Sequence, residues 1–191
     1  MEEFQIEIKN LLNEEECQKI IEWFDNYEGK KHAKLSNDKF YSKYGFPEDV
    51  EKDTSIYESD YIIIFDIEEI ESEYVKSIFH KIVQDNSHKN VVFDWGTVVS
   101  TYPGTSTSLH QDRSVKDWEN ENITQRVWST ITYLNENYEG GEYVVPGLLE
   151  YKPSRGSCLK MYGSEHVHGV NSFSGNTKRY IINAWFVENE K

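Results

Sequence analysis

The apolar residues in the first half of the chain repeat at helical spacing in two segments. One set stands at positions i, i+3, i+4 and i+7 and predicts an amphipathic helix over 14–26: Cys17, Ile20, Ile21 and Phe24. Asn13 and Glu16 form a capping-box pattern at the start of this helix. A second set with the same spacing predicts a helix at about 72–84: Val75, Ile78, Phe79 and Ile82.

Two other segments of the first half lack helical spacing. Phe4, Ile6 and Ile8 alternate with polar residues, which predicts a short edge strand. The stretch 28–59 is polar, has several lysines in its first half, and is longer than an ordinary connection between elements. We interpret it either as a functional loop that closes over a site or as an insertion.

From Val91 onward the pattern changes to short apolar runs separated by turn residues such as Pro103-Gly104 and Gly140-Gly141. The runs are VVFDWGTVVSTY (91–102), RVWSTITYLN (126–135), EYVV (142–145), SCLKMY (157–162) and RYIINAWFV (179–187). Many short strands at this spacing predict a sandwich or a small barrel-like jelly roll. We therefore expect one mainly β domain over 1–191, with N-terminal helical support over about 1–90 and a β core over about 91–187.

Composition narrows the class of protein. The chain has 191 residues, enough for one sizeable core. It contains no run of eighteen apolar residues, and its acidic start lacks the pattern of a signal peptide, so we expect no membrane partner.

Cys17 and Cys158 stand far apart inside apolar patterns. We interpret them as buried free thiols of a reducing compartment and expect a cytoplasmic protein.

The charge balance is strongly acidic. Twenty Lys and Arg residues against thirty-four Asp and Glu residues give a net charge of −14. A chain of this charge lacks the basic stripe that a general nucleic-acid binder uses to neutralise phosphates, so no nucleic-acid partner is expected. The acidic surface is explained by solubility alone, and it would also attract a positively charged substrate.

The segment Leu109-His110-Gln111-Asp112 carries candidate metal ligands. On an extended strand, residues i and i+2 project to one face, so the imidazole of His110 and the carboxylate of Asp112 can meet one ion. Two histidines and one carboxylate leave three positions open on octahedral iron(II). His-x-Asp by itself is equally typical of a surface loop, so a third ligand is needed. The stretch 165–170 offers His166 and His168.

Arg179 stands eleven residues after His168, at the start of the predicted strand RYIINAWF. A guanidinium there can pair bidentately with a carboxylate, as a dicarboxylate co-substrate requires at its far end. The alternative is a surface salt bridge at a strand start. Along this strand the alternation places one set of side chains on one face, Arg179, Ile181, Asn183 and Trp185, and the other set on the opposite face, Tyr180, Ile182, Ala184 and Phe186.

The predicted β core contains an ordered series of motifs. They are Tyr102-Pro103-Gly104 before His110-Gln111-Asp112; Arg126, Tyr133-Leu134-Asn135 and Gly140-Gly141-Glu142; Pro153 through Gly156 before CLKMY; and His168-Gly169-Val170 before Arg179-Tyr180 and Trp185-Phe186. In this order, over about 95–187, they resemble the prolyl-4-hydroxylase-like branch of the 2-oxoglutarate oxygenases. The chain departs from that family in a shorter spacer before His110, and in a cation about one residue farther from the histidine.

The resemblance implies a double-stranded β-helix (jelly roll) and roles for particular residues. The Fe(II) ligands would be His110, Asp112 and His168, with His168 preferred to His166 because it keeps the family's His-x-Val. Arg179 and Tyr133 would bind the distal carboxylate of 2-oxoglutarate, with Lys178 as an alternative cation. Tyr102 would donate a hydrogen bond near the metal-chelating end of the co-substrate. O2 would be the second co-substrate, and ascorbate an additional cofactor.

The resemblance also implies an enzyme. It would be a dioxygenase that hydroxylates an unactivated C–H, in most of the branch a prolyl residue of a peptide or protein, with release of succinate and CO2. Because Asp112 is present where a halogenase has Ala or Gly, hydroxylation is favoured over halogenation. Two alternatives stay open: a hydroxylase of a free amino acid or other small molecule, and a cupin-like protein that binds a metal or ligand without turnover.

Overall fold

The computed structural model describes residues 6–36, 56–86, 91–112 and 127–188. Within these ranges the helices are α1 (Glu14–Asn26), α2 (Glu73–Asn86) and a 3-10 turn at Ile67–Glu69. The strands are β1 (Glu7–Asn10), β2 (Lys31–Ser36), β3 (Ile56–Ile64), β4 (Val91–Thr101), β5 (Thr107–His110), β6 (Val127–Tyr133), β7 (Glu139–Gly140), β8 (Tyr143–Val145), β9 (Leu149–Tyr151), β10 (Ser157–Tyr162), β11 (His168–Val170), β12 (Phe173–Ser174) and β13 (Arg179–Glu188).

These strands form antiparallel sheets. The larger sheet has the order β1-β10-β6-β13-β4-β3-β2, and the smaller has the order β5-β11-β8-β9. A two-stranded ribbon, β12-β7, accompanies them. Residues of both four- and seven-stranded sheets line one cavity, so the sheets lie on either side of it. The expected mainly β jelly roll with N-terminal helices is confirmed.

Both predicted helices are present, and both pack on the larger sheet. At the start of α1, the Asn13 side chain accepts the Glu16 N–H at 2.9 Å, and the Glu16 carboxylate accepts the Asn13 N–H at 2.8 Å. The capping box that the sequence predicted is therefore formed. α2 continues to Asn86, two residues beyond its predicted end. The apolar faces of both helices share one core with Ile182, Ala184 and Phe186 of β13.

The alternation predicted along β13 is confirmed by what each face contacts. The face that carries Ile182 packs against the helices. The opposite face lines the cavity with the four side chains predicted to share it: Arg179, Ile181, Asn183 and Trp185. β13 is therefore the element that divides the structural core from the site.

The interpretation of 28–59 as a loop is wrong for the described part of that segment, whereas its interpretation as an insertion stays a prediction. Lys31–Ser36 forms β2, Ile56 begins β3, and the two strands pair antiparallel at the edge of the larger sheet. An edge strand needs few apolar residues, so the polar sequence of β2 gave little signal. Residues 37–55 lie outside the described residues, and the closing loop stays a prediction for them.

Three smaller expectations have mixed outcomes. The first strand is found at Glu7–Asn10, slightly later than predicted, and Phe4 lies outside the described residues. Cys17 and Cys158 are free and buried, as expected. In the described ranges, no helix has the length and apolar character needed to cross a membrane. The cytoplasmic location stays a prediction.

Candidate active site

Three of the predicted ligand residues converge at the cavity between the sheets. His110 ends β5, and His168 begins β11. Because β11 pairs antiparallel with β5, these two histidines lie directly opposite each other although they are remote in sequence. Asp112 was expected on the same strand as His110, but it lies two residues beyond the end of β5. One ligand atom from each of the three residues lies within 4.8 Å of the others.

Backbone carbonyl groups orient both imidazole rings. The Nδ1 of His110 lies 2.8 Å from Ser108 O, and the Nδ1 of His168 lies 2.8 Å from His166 O. A carbonyl oxygen only accepts, so Nδ1 carries the proton in each ring and Nε2 is the nitrogen available to a metal. Each Nε2 lies 3.6 Å from a carboxylate oxygen of Asp112. This donor set is that of a facial site for iron(II).

His166 does not join this cluster through its side chain. His166 is half-buried, whereas His168 is only 3 % exposed, and the backbone carbonyl of His166 orients the His168 ring. His166 precedes β11, so strand alternation does not place its ring on the face of His168, and Val167 between the two histidines is exposed. Of the two candidate distal histidines, the structure brings His168 to the ligand cluster.

The electrostatics of the cluster keep Asp112 charged. Its side chain is buried, and burial by itself would raise the pKa of the carboxyl. The neighbouring His168 and His110 outweigh burial and hold the pKa of Asp112 well below its usual range. Burial also lowers the pKa of His168, but Asp112 outweighs this effect and raises it. The carboxylate is therefore ionised at neutral pH, as a metal ligand must be.

A second polar group in the same cavity is suited to an anion. Arg179 is 1 % exposed, and its Nε and Nη1 have no hydrogen-bond partner in the part of the chain that the structure describes. The guanidinium lies over the Phe173 ring, with Cζ 5.3 Å from the centroid. Buried donors normally find an acceptor. A carboxylate can accept two N–H groups of one guanidinium, so this site fits one end of a dicarboxylate.

Tyr133 lies in the buried surroundings of Arg179. Its side chain is fully buried, and its hydroxyl also has no hydrogen-bond partner among the described residues. Burial raises the pKa of this hydroxyl, and nearby Arg179 opposes part of the rise. Tyr133 therefore remains a neutral hydrogen-bond donor. It is not itself one of the cavity-lining residues, and its role beside a carboxylate stays a prediction.

The structure does not bring Tyr102 or Lys178 to this cavity. The Tyr102 hydroxyl donates to Asp60 Oδ2 at 2.9 Å, and Lys178 Nζ donates to the same oxygen at 2.7 Å. Thr101, the last residue of β4, lines the cavity, and the next residue points elsewhere. The role expected of Tyr102 near the metal-chelating end therefore has no support in its position. Lys178 already has a carboxylate partner, which favours Arg179 as the cation.

Asp60 and its partners Lys178, His32 and Tyr102 form a polar cluster beside the cavity, and the contribution of Asp60 to stability can be tested. Burial would raise the pKa of Asp60, but hydrogen bonds from Lys178, His32 and Tyr102 lower it from 3.8 to about 2. Such a group stabilises the fold above its unfolded pKa, by about 2 kcal/mol for this shift, and the contribution is lost as pH falls toward the folded pKa. We expect Asp60→Asn to lower the free energy of unfolding by about this amount at pH 7 and by less below pH 4. Urea unfolding of both proteins at several pH values measures this, and a loss independent of pH would contradict it.

The cavity has a volume of about 220 Å³, and its walls are largely apolar. Trp95 of β4 stacks on Trp185 of β13, with ring centroids 3.9 Å apart and an interplanar angle of 11°. Phe65 also lines the cavity and is 61 % exposed, so it lies at the opening. Tyr143 stacks on the His168 ring, with centroids 5.5 Å apart. An apolar wall beside a metal site excludes water from the reacting groups.

The sequence analysis missed one wall of the cavity. β3 and the residue following it contribute five lining side chains: Tyr57, Ser59, Tyr61, Ile63 and Phe65. Their two-residue spacing, with aromatic or apolar side chains at four of the five positions, is the signal that could have revealed this strand. Ser129 of β6 was also missed. Its hydroxyl donates to Asp112 Oδ2.

Comparisons with known proteins agree with this architecture. Residues 97–187 match the model of the 2OG-Fe(II) oxygenase superfamily. Curated protein sequences give no significant match to the chain. Among solved structures, the viral collagen prolyl hydroxylase of Paramecium Bursaria Chlorella virus-1 has a TM-score of 0.59 at 16 % identity, and the alignment covers 96 % of each chain.

Two further solved structures show the range of proteins with this fold. A prolyl hydroxylase from Trichoplax adhaerens, in complex with a peptide fragment of the hypoxia inducible factor oxygen degradation domain, has a TM-score of 0.60 at 16 % identity. Its alignment covers 97 % of this chain and 84 % of that one. The non-heme alpha ketoglutarate dependent epimerase SnoN from nogalamycin biosynthesis has a TM-score of 0.61 at 10 % identity, covering 97 % and 79 %. At these identities the likeness shows the fold alone.

Proposed function

Because the chain belongs to the 2OG-Fe(II) oxygenase superfamily, we propose that it is a dioxygenase that hydroxylates a prolyl residue of a peptide or protein. The observation that carries the proposal is one cavity lined by both the His110, Asp112 and His168 cluster and the buried guanidinium of Arg179. A protein that only binds a metal needs no buried cation for a dicarboxylate. This pairing therefore argues against the cupin-like alternative.

The residues present fit both implied groups. His110, Asp112 and His168 would hold Fe(II), and Arg179 with Tyr133 would hold the distal carboxylate of 2-oxoglutarate. When bound, these groups supply the O2 activation that converts C–H to C–OH, with release of succinate and CO2. The protein's part is positional. Carbonyl groups fix both imidazoles, the guanidinium fixes one end of the co-substrate, and apolar walls exclude water.

The prolyl substrate is supported by the fold and by the cavity wall. Two prolyl hydroxylases, of a Chlorella virus and of Trichoplax adhaerens, have the same fold, and the second is bound to a peptide. Trp95 and Trp185, which stack on each other, both line the cavity and give it an apolar wall against which a pyrrolidine ring can pack. The net charge of −14 favours basic residues beside the reacting proline.

We expect Fe(II)-dependent release of succinate and formation of hydroxyproline in peptides. The assay contains the protein, Fe(II), 2-oxoglutarate, ascorbate and a library of proline-containing peptides with basic or acidic flanks. Mass spectrometry and amino-acid analysis measure the product, and peptides with basic flanks should react faster. Omission of Fe(II) and omission of 2-oxoglutarate are the controls. Absence of succinate release with every substrate would contradict the oxygenase assignment itself.

The alternative substrate class is a free amino acid or another small molecule. The cavity of about 220 Å³ favours this alternative because it is small for a ligand pocket. The epimerase SnoN also shows that the fold carries chemistry other than prolyl hydroxylation. Turnover of free proline or of another amino acid, with no peptide modified, would establish this alternative and contradict the peptide substrate.

We also propose that residues 1–191 form one domain that acts in the cytoplasm. α1, α2 and the larger sheet share a continuous core, which supports a single folding unit. The two buried, free cysteines are consistent with a reducing compartment. Cooperative unfolding in one transition, followed by both fluorescence and circular dichroism, is the expected behaviour.

A further inference from the structure

Asp112 is held by contacts that β-sheet pairing does not provide. β5 ends at His110, so the next two residues have no ladder partner on β11. Instead, the Asp112 N–H donates to Gly163 O at 3.0 Å, and the Gln111 side chain donates to Ser164 O at 3.1 Å. The turn that follows β10 therefore fixes the backbone of the His-Gln-Asp segment.

Gly163 leaves the space in which the Asp112 carboxylate lies. A Cβ atom at position 163 would lie 2.8 Å from Asp112 Cγ, and closer still to Asp112 Oδ2 and Ser129 Oγ. These distances are shorter than any normal contact of a Cβ atom. The backbone of Gly163 does not have a positive φ. The requirement for glycine at this position is therefore one of space around the carboxylate, not of backbone conformation.

Ser129 forms a hydrogen bond with one oxygen of the Asp112 carboxylate. Its hydroxyl donates to Asp112 Oδ2. Oδ1 lies 3.6 Å from His110 Nε2, and Oδ2 lies 3.6 Å from His168 Nε2. The turn is itself anchored to the strand that carries Ser129, because the Val127 N–H donates to Ser164 Oγ at 2.9 Å. Ser129 and Gly163 thus belong to one connected unit around Asp112.

We propose that Ser129 and Gly163 are positioning residues that set the Asp112 carboxylate as the third metal ligand. This inference rests on the proposed metal centre. Ser129 restrains the orientation of the carboxylate through Oδ2, while Gly163 leaves the space that the carboxylate occupies between the two histidines. Partners that orient a ligating carboxylate are worth roughly 10- to 100-fold in metal affinity.

The test is the binding of Co(II) alone to the purified protein, measured by calorimetry and by the visible absorption of the bound ion. We expect Ser129→Ala to weaken Co(II) binding by roughly 10- to 100-fold. Gly163→Ala should weaken it at least as much, because the added methyl group displaces the carboxylate. Ser129→Thr keeps a hydroxyl and should retain most of the wild-type affinity. Thermal unfolding of each protein without metal is measured in parallel.

Thr132→Val is the matched control. It removes a buried hydroxyl from the same strand at a residue that does not line the cavity. Its Co(II) affinity and absorption spectrum should equal those of the wild type, whatever its effect on stability. If Ser129→Ala and Gly163→Ala lower stability but bind Co(II) as the wild type does, the positioning role is wrong and the metal centre stands. If the wild type binds no Co(II), both the metal centre and the positioning role are wrong.

Discussion

Replacing His168 with Ala is expected to abolish iron-dependent succinate formation. His168 Nε2 faces the Asp112 carboxylate, and its ring is buried with Nδ1 fixed by the His166 carbonyl. At the proposed metal centre, alanine removes one of the three protein ligands, and the described cavity lining contains no other histidine or carboxylate to replace it. The loss should exceed the roughly 100-fold effect of removing an outer partner of a metal ligand. Succinate release and the iron content of the purified protein are both measured.

His166→Ala is the matched control for this change. The two histidines are two residues apart, but the His166 ring is not part of the ligand cluster among the described residues, and its contribution is a backbone carbonyl, which alanine keeps. This variant should retain bound iron and most of the activity. If His166→Ala lost iron and His168→Ala kept it, the assignment of the distal ligand would be reversed.

Arg179→Ala should raise the apparent KM for 2-oxoglutarate strongly. The guanidinium is buried, and its Nε and Nη1 have no acceptor among the described residues, so a bound carboxylate would supply the missing partner. Truncation of one member of a buried, hydrogen-bonded charge pair costs about 2–5 kcal/mol. This corresponds to an increase in KM of roughly 30-fold or more. Initial rates of succinate release over a range of 2-oxoglutarate concentrations measure it.

Lys178→Ala separates a specific contact from a general loss of positive charge. Lys178 is the next residue along the chain, but its ammonium group is paired with Asp60 outside the cavity lining. Its removal should leave the KM for 2-oxoglutarate near that of the wild type, although it will lower stability. A large increase in KM for Lys178→Ala with no change for Arg179→Ala would transfer the role to the lysine.

The sequence by itself determined the features that depend on local periodicity. The i, i+3, i+4 spacing in 14–26 and the two-residue alternation in 179–187 specify which side chains share a face, and the structure agrees in both segments. These patterns are readable because helix and strand geometry repeat within one element. The motif order likewise predicted the His110, Asp112 and His168 cluster, because each member stands in a short and recognisable segment.

Only the tertiary structure decided the features that depend on which strands pair. β2 and β3 were not predicted, although β3 forms one wall of the cavity. The polar edge strand β2 leaves little trace in its sequence, and the alternation in β3 does not show which strands it pairs with. Tyr102 was expected beside the co-substrate, but its hydroxyl instead donates a hydrogen bond to Asp60 on β3. The contacts of Ser129 and Gly163 with Asp112 likewise join three separate segments of the chain. Periodicity defines the faces of each element, whereas distances between elements are set by strand register and packing, which no local pattern encodes.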